Sequence, residues 1–235
     1  MALDTAERRG LSLAPANTRP VAVAGWAGIL GPVLFSVVFL AQDAVRPGGY
    51  DPVTEPVSAL AAGPTWWLHQ LNFVAFGVLT LVFAVGLHVG VRRTRLGWLG
   101  PALLFVSGIG LLLGAAFPLA EDASGATYDP GGHFVAGMLF FPTSAVALVA
   151  LSHRLRSDPR WRSLATYTLA AGAVALAGGV TMVAFVVPDE APLHAWAGLA
   201  QRVLILAVLF PCRVALGARL LREGSTSEQP PHSSI

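Results

Sequence analysis

Three histidines mark the places where this sequence is best suited to chemistry. His69, His133 and His194 each lie near the start of a long hydrophobic segment. If those segments cross a membrane in alternating directions, the three imidazoles come to one membrane level. With a carboxylate from a neighbouring loop, they could hold a zinc ion that keeps one position open for water. The sequence lacks two histidines and a glutamate spaced on one helix, so purely structural histidines and metal-free acid–base chemistry remain alternatives.

The loops beside these histidines contain three carboxylates suited to acid or base catalysis, Glu55, Asp122 and Asp129. Asp129 precedes His133 by one helical turn. If a helix begins by Pro130, Asp129 can cap it while the second carboxylate oxygen orients the His133 ring. A cap without any ligand role is the alternative. We therefore predict that Glu55, Asp122, Asp129 and His133 carry any catalytic proton transfer.

Arg202 lies about two turns inside the last hydrophobic segment, on one helical stripe with His194 and Gln201. An ionised arginine at this depth costs roughly 2.5 to 3.5 kcal/mol on insertion scales, so it should face the bundle interior and find a partner. Glu55 and Asp122 are the preferred partners. Arg202 could then hold an anionic headgroup or fix a carboxylate. Snorkelling of the side chain to the membrane interface is the alternative.

The connection between the first two hydrophobic segments, residues 49–63, begins polar and continues as an apolar stretch too short to cross a membrane. This pattern predicts a re-entrant or interfacial segment, which must be buried in protein or line a wet cavity. Asp51, Glu55 and Ser58 would then lie over the mouth of the bundle, unless Asp51 and Ser58 only cap short helical turns. The predicted substrate-binding residues are Asp51, Ser58, His194, Gln201 and Arg202.

Six hydrophobic segments must position these side chains. The chain of 235 residues is 54% hydrophobic and only 12% charged, which excludes an ordinary soluble domain. A transmembrane helix needs roughly 20 apolar residues to cross about 30 Å of hydrocarbon. Segments of this kind occupy residues 21–45, 67–91, 97–119, 133–151, 164–187 and 196–217. We predict an all-α bundle of six transmembrane helices over residues 21–222, between flexible tails at 1–20 and 223–235.

Charges are sorted between the two ends of these segments. Every arginine except Arg46 and Arg202 falls in the tails or at one set of segment ends and loops, whereas the intervening loops hold most of the acids. Basic loops stay in the cytoplasm, so we predict a multi-pass protein of the cell membrane with both termini cytoplasmic. Arg213 is grouped with the cytoplasmic arginines. Such arginines suit anionic lipid headgroups better than nucleic acid, so membrane lipids and a hydrophobic small molecule are the expected partners.

Three stretches of the sequence carry a family resemblance: Asp51-Pro-Val-Thr-Glu-Pro-Val-Ser-Ala-Leu60, Phe117-Pro118 to Gly132-His133, and Gln201-Arg202. They resemble the six-helix prokaryotic membrane family known as domain of unknown function 998. The similarity covers about residues 20–222. The family commonly has an Asp where this chain has Glu55, and the loop before His133 is spaced differently here. The resemblance implies the six-helix fold and a polar cluster at one end, and it implies no activity.

Acids, histidines and a buried arginine converge at one end of an otherwise apolar bundle. This convergence predicts a membrane-embedded enzyme acting on a lipidic or isoprenoid-like substrate, with a divalent metal such as zinc as the possible cofactor. The competing hypothesis is a non-catalytic accessory, immunity or transporter-associated protein whose polar cluster stabilises the bundle. Transport itself fits less well, because it favours polar groups that continue to the membrane midplane.

Overall fold

The computed structural model describes residues 19–46, 50–186 and 190–226. Within these ranges, six helices are long and apolar enough to cross a membrane. The first five are α1 (Arg19–Val45), α2 (Trp66–Gly90), α3 (Leu99–Ala116), α4 (His133–Arg156) and α5 (Arg162–Phe185). The sixth helix joins a 3₁₀ turn (His194–Trp196), α6 (Ala197–Val203), a π-helical segment (Leu204–Leu209) and α7 (Phe210–Thr226). The predicted all-α bundle of six transmembrane helices is confirmed.

Each predicted segment corresponds to one helix, with differences at the ends. α3 ends at Ala116, before the predicted end at 119, because Pro118 disfavours helical backbone in the residue that precedes it. α4 continues beyond 151 to Arg156. Residues 19, 20 and 223–226 are helical rather than parts of tails. The rest of the two predicted tails, residues 1–18 and 227–235, lies outside the described residues.

The sixth helix is irregular next to Pro211. Proline has no N–H to donate, and its ring clashes with the preceding turn, which predicts a kink. The π-helical segment Leu204–Leu209 ends directly before Phe210 and Pro211. The turns that precede the proline are therefore widened rather than broken.

Successive helices pack side by side, and the sixth helix returns to α1. A Cβ on Gly217 would lie 2.9 Å from the carbonyl oxygen of Gly25, so only glycine permits this approach. Gly224 lies beside Ala22, which places the start of α1 and the end of α7 at one end of the bundle. We call it the terminal end and the opposite one the distal end. The side of the membrane that each end faces stays a prediction from the arginine distribution.

Two distal connections carry local structure of their own. A 3₁₀ helix, Val57–Ala61, lies between α1 and α2 and is largely buried. Between α3 and α4, strands β1 (Ala120–Glu121) and β2 (Thr127–Tyr128) pair in an antiparallel hairpin. The sequence did not predict this hairpin, because two-residue strands leave no alternating pattern to detect.

Four phenylalanine rings meet in the middle of the bundle and form what we call the aromatic layer. They are Phe35 of α1, Phe76 of α2, Phe140 of α4 and Phe210 of α7. The Phe76 centroid lies 5.0 Å from that of Phe35, 5.3 Å from that of Phe210 and 6.1 Å from that of Phe140. Such tilted and edge-to-face contacts are favourable for aromatic pairs. The layer separates the distal half of the core from the terminal half.

Candidate functional site at the distal end

Arg202 has its side chain fully hydrogen-bonded in the distal interior, where it is only 7% exposed. Nε and Nη2 donate to the two carboxylate oxygens of Asp43, at 3.1 and 2.7 Å, in a bidentate ion pair. Nη1 donates to the backbone carbonyls of Glu55 and Gly198, at 2.8 and 3.1 Å, and Nη2 also donates to the Tyr50 hydroxyl. A guanidinium has five N–H donors, so the protein itself accepts all of them.

Tyr50 links this pair to the loop that follows α1. Its hydroxyl donates to Asp43 Oδ1 at 2.8 Å. Burial is the main reason why the pKa of Tyr50 lies well above its ordinary value, and the hydrogen bond to Asp43 raises this pKa as well. The positive charge of Arg202 lowers the pKa of Tyr50, but not enough to cancel these two effects. Tyr50 therefore stays a protonated donor at neutral pH. Sequence reasoning missed this residue, whose only signal was an aromatic ring within a polar loop.

The predicted acid partners of Arg202 are wrong. Asp43 is the partner because it lies in the last turns of α1, the helix that packs against the sixth helix. Glu55 offers Arg202 its backbone oxygen, while its carboxylate accepts the Asp51 N–H at 3.2 Å. Asp122 lies in the exposed turn between β1 and β2. The geometry supports a role for Arg202 in fixing a carboxylate, and it contradicts both snorkelling and a free headgroup contact.

Residues 50–62, which we call the roof segment, cover the distal end and are held by side chains of the sixth helix and of Arg46, the residue that follows α1. The Val57 N–H donates to Gln201 Oε1 at 2.6 Å. Arg46 Nη1 donates to the carbonyls of Ala59 and Ala62, at 3.1 and 2.7 Å. The apolar part of the roof segment is thus buried in protein, as non-helical backbone at this depth must be unless it lines a wet cavity.

Asp51 and Ser58 differ in role within the roof segment. Asp51 is exposed, and its Oδ1 accepts the Val53 N–H at 3.0 Å. Asp51 therefore caps a local turn, which was the alternative to substrate binding. Ser58 lies inside the 3₁₀ helix rather than at its cap and lines a cavity.

Asp122 and Asp129 are both engaged with nearby backbone. Asp122 Oδ1 accepts the Ser124 hydroxyl at 2.6 Å and the Ala126 N–H at 3.0 Å, and hydrogen bonds from Ser124 lower its pKa. Asp129 caps α4, because its oxygens accept the N–H groups of His133 and Phe134 at 3.3 and 2.8 Å. Burial raises the pKa of Asp129, but these backbone donors outweigh burial and hold it below its ordinary value. The carboxylate of Asp129 thus bonds the first N–H groups of α4, as predicted, but the helix begins at His133 rather than by Pro130, and its N-cap residue is Gly132.

All three histidines use Nδ1 for a hydrogen bond. His133 Nδ1 lies 2.8 Å from the carbonyl oxygen of Phe117, and His194 Nδ1 lies 3.1 Å from that of Val186. A carbonyl oxygen only accepts, so both rings carry the proton on Nδ1 and, when neutral, a lone pair on Nε2. The predicted orientation of the His133 ring by Asp129 is wrong, since Phe117 holds this ring.

His69, which is more deeply buried, also carries its proton on Nδ1. Gln42 Nε2 donates to the carbonyl and the hydroxyl of Thr65, each at 3.1 Å. Gln42 Oε1 is therefore the acceptor for His69 Nδ1, 2.8 Å away. Within the described residues, Nε2 of this fully buried ring has no hydrogen-bond partner.

The predicted zinc site of His69, His133 and His194 is not assembled in the described residues. No group of three or more histidine, cysteine, aspartate or glutamate side chains in that part of the chain could hold a metal ion. The physical reason is that each ring is held by a different part of the structure. His69 packs against Phe73 in the core, whereas His133 and His194 are hydrogen-bonded to the backbone carbonyls of Phe117 and Val186.

A cavity of about 620 Å³ adjoins these polar groups. The distal halves of α3, α4, α5 and the sixth helix form its walls, and Phe35, Phe140 and Phe210 of the aromatic layer close its inner end. Its polar lining includes Ser58, His133 and Gln201. The lining residues Phe134 and Val180 are 60% and 64% exposed, so the cavity opens sideways towards the surrounding lipid.

Sequence reasoning also missed two buried charges at the terminal end. Arg154 is 3% exposed and donates to backbone carbonyls at the end of α2 and in the α2–α3 loop, including that of Gly97 at 2.9 Å. Asp158 is 2% exposed; it accepts the Arg92 N–H at 3.0 Å and pairs with Arg160 at 2.7 Å. These contacts hold the α2–α3 and α4–α5 loops together, which neither loop's sequence reveals alone.

Arg213 is not at the cytoplasmic surface as predicted. It is only 2% exposed and donates to Thr80 Oγ1, at 2.6 Å, inside the bundle. Arg213 lies one helical turn after the cavity-lining Phe210 and therefore on the same face of α7. This face points into the core, because α7 packs against both α1 and α2.

Comparison with known proteins adds a family to this geometry. The family model described as "Protein of unknown function (DUF998)" matches residues 29–217. No curated protein and no solved structure matches the chain. The matched range contains the roof segment, the Asp43–Arg202 pair and the whole cavity lining. The chain therefore belongs to the DUF998 family of membrane proteins of unknown function.

Proposed function

We propose that the protein binds a lipidic molecule in the cavity, with the apolar chain between the helices and a polar end group under the roof segment. The observation that carries this proposal is an apolar cavity, open to lipid, whose volume falls within the range of about 300 to 1,000 Å³ typical of ligand pockets. Its few polar groups converge at one end, as expected of a site that orients an amphiphile.

The polar end of the cavity favours a neutral group that both donates and accepts hydrogen bonds. His133 Nε2 offers a lone pair, while Gln201 Nε2 and the Ser58 hydroxyl can donate. None of these three atoms makes a hydrogen bond with a described residue. Arg202 has no N–H left for an anionic headgroup, because Asp43 and its other acceptors use all five. A long-chain or isoprenoid alcohol fits this arrangement.

Gly137 provides a direct test of the cavity. It lines the cavity, and a Cβ built on it would meet nothing within 4 Å. Gly137→Phe should therefore fill the cavity without disturbing the backbone. Val135 is 58% exposed on another face of the same helix and does not line the cavity. Val135→Phe is thus a matched control.

The assay is binding of oleyl alcohol, with octadecene as the matched hydrocarbon, to the full-length protein in lipid nanodiscs. We expect Gly137→Phe to reduce oleyl alcohol binding at least tenfold and Val135→Phe to leave it unchanged. His133→Ala should reduce the preference for the alcohol over the hydrocarbon. Unaltered binding in Gly137→Phe would place the ligand elsewhere and reject the proposal.

A second candidate is an enzyme that acts on the bound lipid, and one observation favours it. The Phe117 carbonyl holds the His133 proton on Nδ1, so Nε2 is poised as a base beside the cavity. Lipid extracts from cells with the wild-type protein or His133→Ala, compared by mass spectrometry, test this candidate. An unchanged lipid and terpenoid profile, with the His133→Ala protein present at normal level, would leave binding without catalysis.

A further inference from the structure

A polar layer lies directly beyond the aromatic layer on its terminal side. Three helices each place a polar residue one turn after a phenylalanine of the aromatic layer. The pairs are Phe76 and Thr80 in α2, Phe140 and Ser144 in α4, and Phe210 and Arg213 in α7. All three helices run towards the terminal end at this point, so Thr80, Ser144 and Arg213 come to the same depth in the bundle.

Arg213 is incompletely bonded in this layer, in contrast to Arg202. Nη2 donates to Thr80 Oγ1, whose own hydrogen is used by the Phe76 carbonyl at 2.7 Å. The guanidinium also lies over the Phe76 and Phe83 rings, 4.7 and 5.9 Å from their centroids. Nε and Nη1 are buried and have no hydrogen-bond partner among the described residues.

The local charge balance points to a missing negative group. The ion pairs formed within the described residues do not include Arg213. Aromatic faces stabilise a cation only in part, and an ionised side chain within a membrane protein normally finds a partner. The Ser144 hydroxyl, 2% exposed, also lacks a hydrogen-bond partner within the described chain. Donors without acceptors therefore collect at one depth.

We propose that the polar layer binds one monovalent anion, held by Nε and Nη1 of Arg213 and by the hydroxyl of Ser144. A single unpaired positive charge in an apolar surrounding favours a single negative charge. The anion has two sources with this chemistry: a free ion such as chloride, or the carboxylate end of a lipid amphiphile.

The test measures the thermal stability of the full-length protein in nanodiscs under two exchanges. In the first, chloride replaces gluconate at constant ionic strength. In the second, oleate is compared with oleyl alcohol. We expect the melting temperature of the wild type to rise with chloride if the ion is free, or with oleate more than with oleyl alcohol if the amphiphile supplies the carboxylate.

Three variants assign the response to the polar layer. Arg213→Met should abolish it, and Ser144→Ala, which keeps the charge, should raise the half-maximal anion concentration about tenfold because one hydrogen bond to a charged group is lost. Ser152→Ala is the matched control, because the buried Ser152 of the same helix already donates to the Val149 carbonyl; it should respond as the wild type does.

Absence of both responses in the wild type, or an undiminished response in Ser144→Ala, would overturn the proposal. The results of the anion test can be told apart from those of the oleyl alcohol binding test. Normal oleyl alcohol binding without any anion response rejects the anion site alone. A chloride response that depends on Ser144, without oleyl alcohol binding, rejects the proposed function alone.

Discussion

The Asp43–Arg202 pair should be among the most strongly coupled pairs in the protein. Arg202→Leu leaves the Asp43 carboxylate, whose side chain is 12% exposed, with the Tyr50 hydroxyl as its one remaining donor among the described residues. Two charge-assisted hydrogen bonds are lost, each contributing about 1.5 to 3 kcal/mol. Removing one member of a buried ion pair costs about 3 to 5 kcal/mol in soluble proteins. We therefore expect Arg202→Leu to lower the unfolding free energy by about 3 to 5 kcal/mol.

The companion change Asp43→Asn should relieve much of this loss when combined with Arg202→Leu, because no orphaned charge then remains. We expect a coupling energy of about 2 kcal/mol or more in a double-mutant cycle. Unfolding by SDS titration in mixed micelles supplies the four free energies. The same cycle with Asp122→Asn is the matched control, because Asp122 lies in the exposed hairpin turn, and it should be additive. Additivity with Asp43→Asn would refute the pairing, and strong coupling with Asp122→Asn would refute the placement of that loop.

Three further predictions concern other parts of the molecule. The hydrogen bond from Arg160 lowers the pKa of Asp158 from 3.8 to about 2, so its stabilisation is complete above about pH 4 and is lost as the pH falls towards 2. Asp158→Asn should therefore cost about 2 kcal/mol at neutral pH and flatten the stability profile between pH 4 and 2; an unchanged profile would contradict this. Gly198→Ala places a Cβ against backbone carbonyls of the roof segment and should cost about 1 to 3 kcal/mol through overpacking, whereas a neutral effect in the same SDS titration would show that the roof segment yields. Membrane-impermeant labelling should reach a cysteine at Ala126 from outside the cell and one at Ser157 only after permeabilisation, both positions being exposed, and the reverse pattern would invert the topology.

The positions of the six helices and the start of α4 follow from local sequence patterns. Helix formation within a membrane depends on local apolar length, because every backbone polar group must be satisfied inside its own segment. The same locality explains why the cap at Asp129 was predictable: the carboxylate and the N–H groups that it accepts lie within five positions. The resemblance of the roof segment and of Gln201-Arg202 to DUF998 was likewise carried by short, local motifs.

Which polar groups meet depends instead on how the helices pack together. Asp43 and Arg202 are 159 positions apart, and nothing in either neighbourhood distinguishes Asp43 from Glu55 as the partner. The sequence around Arg213 does not distinguish it from the surface arginines, because the helices that bury it are distant in sequence. The cavity is likewise invisible in sequence, since glycines and apolar side chains line it just as they line close helix contacts. Whether such residues leave space or fill it depends on how α5 is placed against the sixth helix, a property of the packed bundle that no single segment encodes.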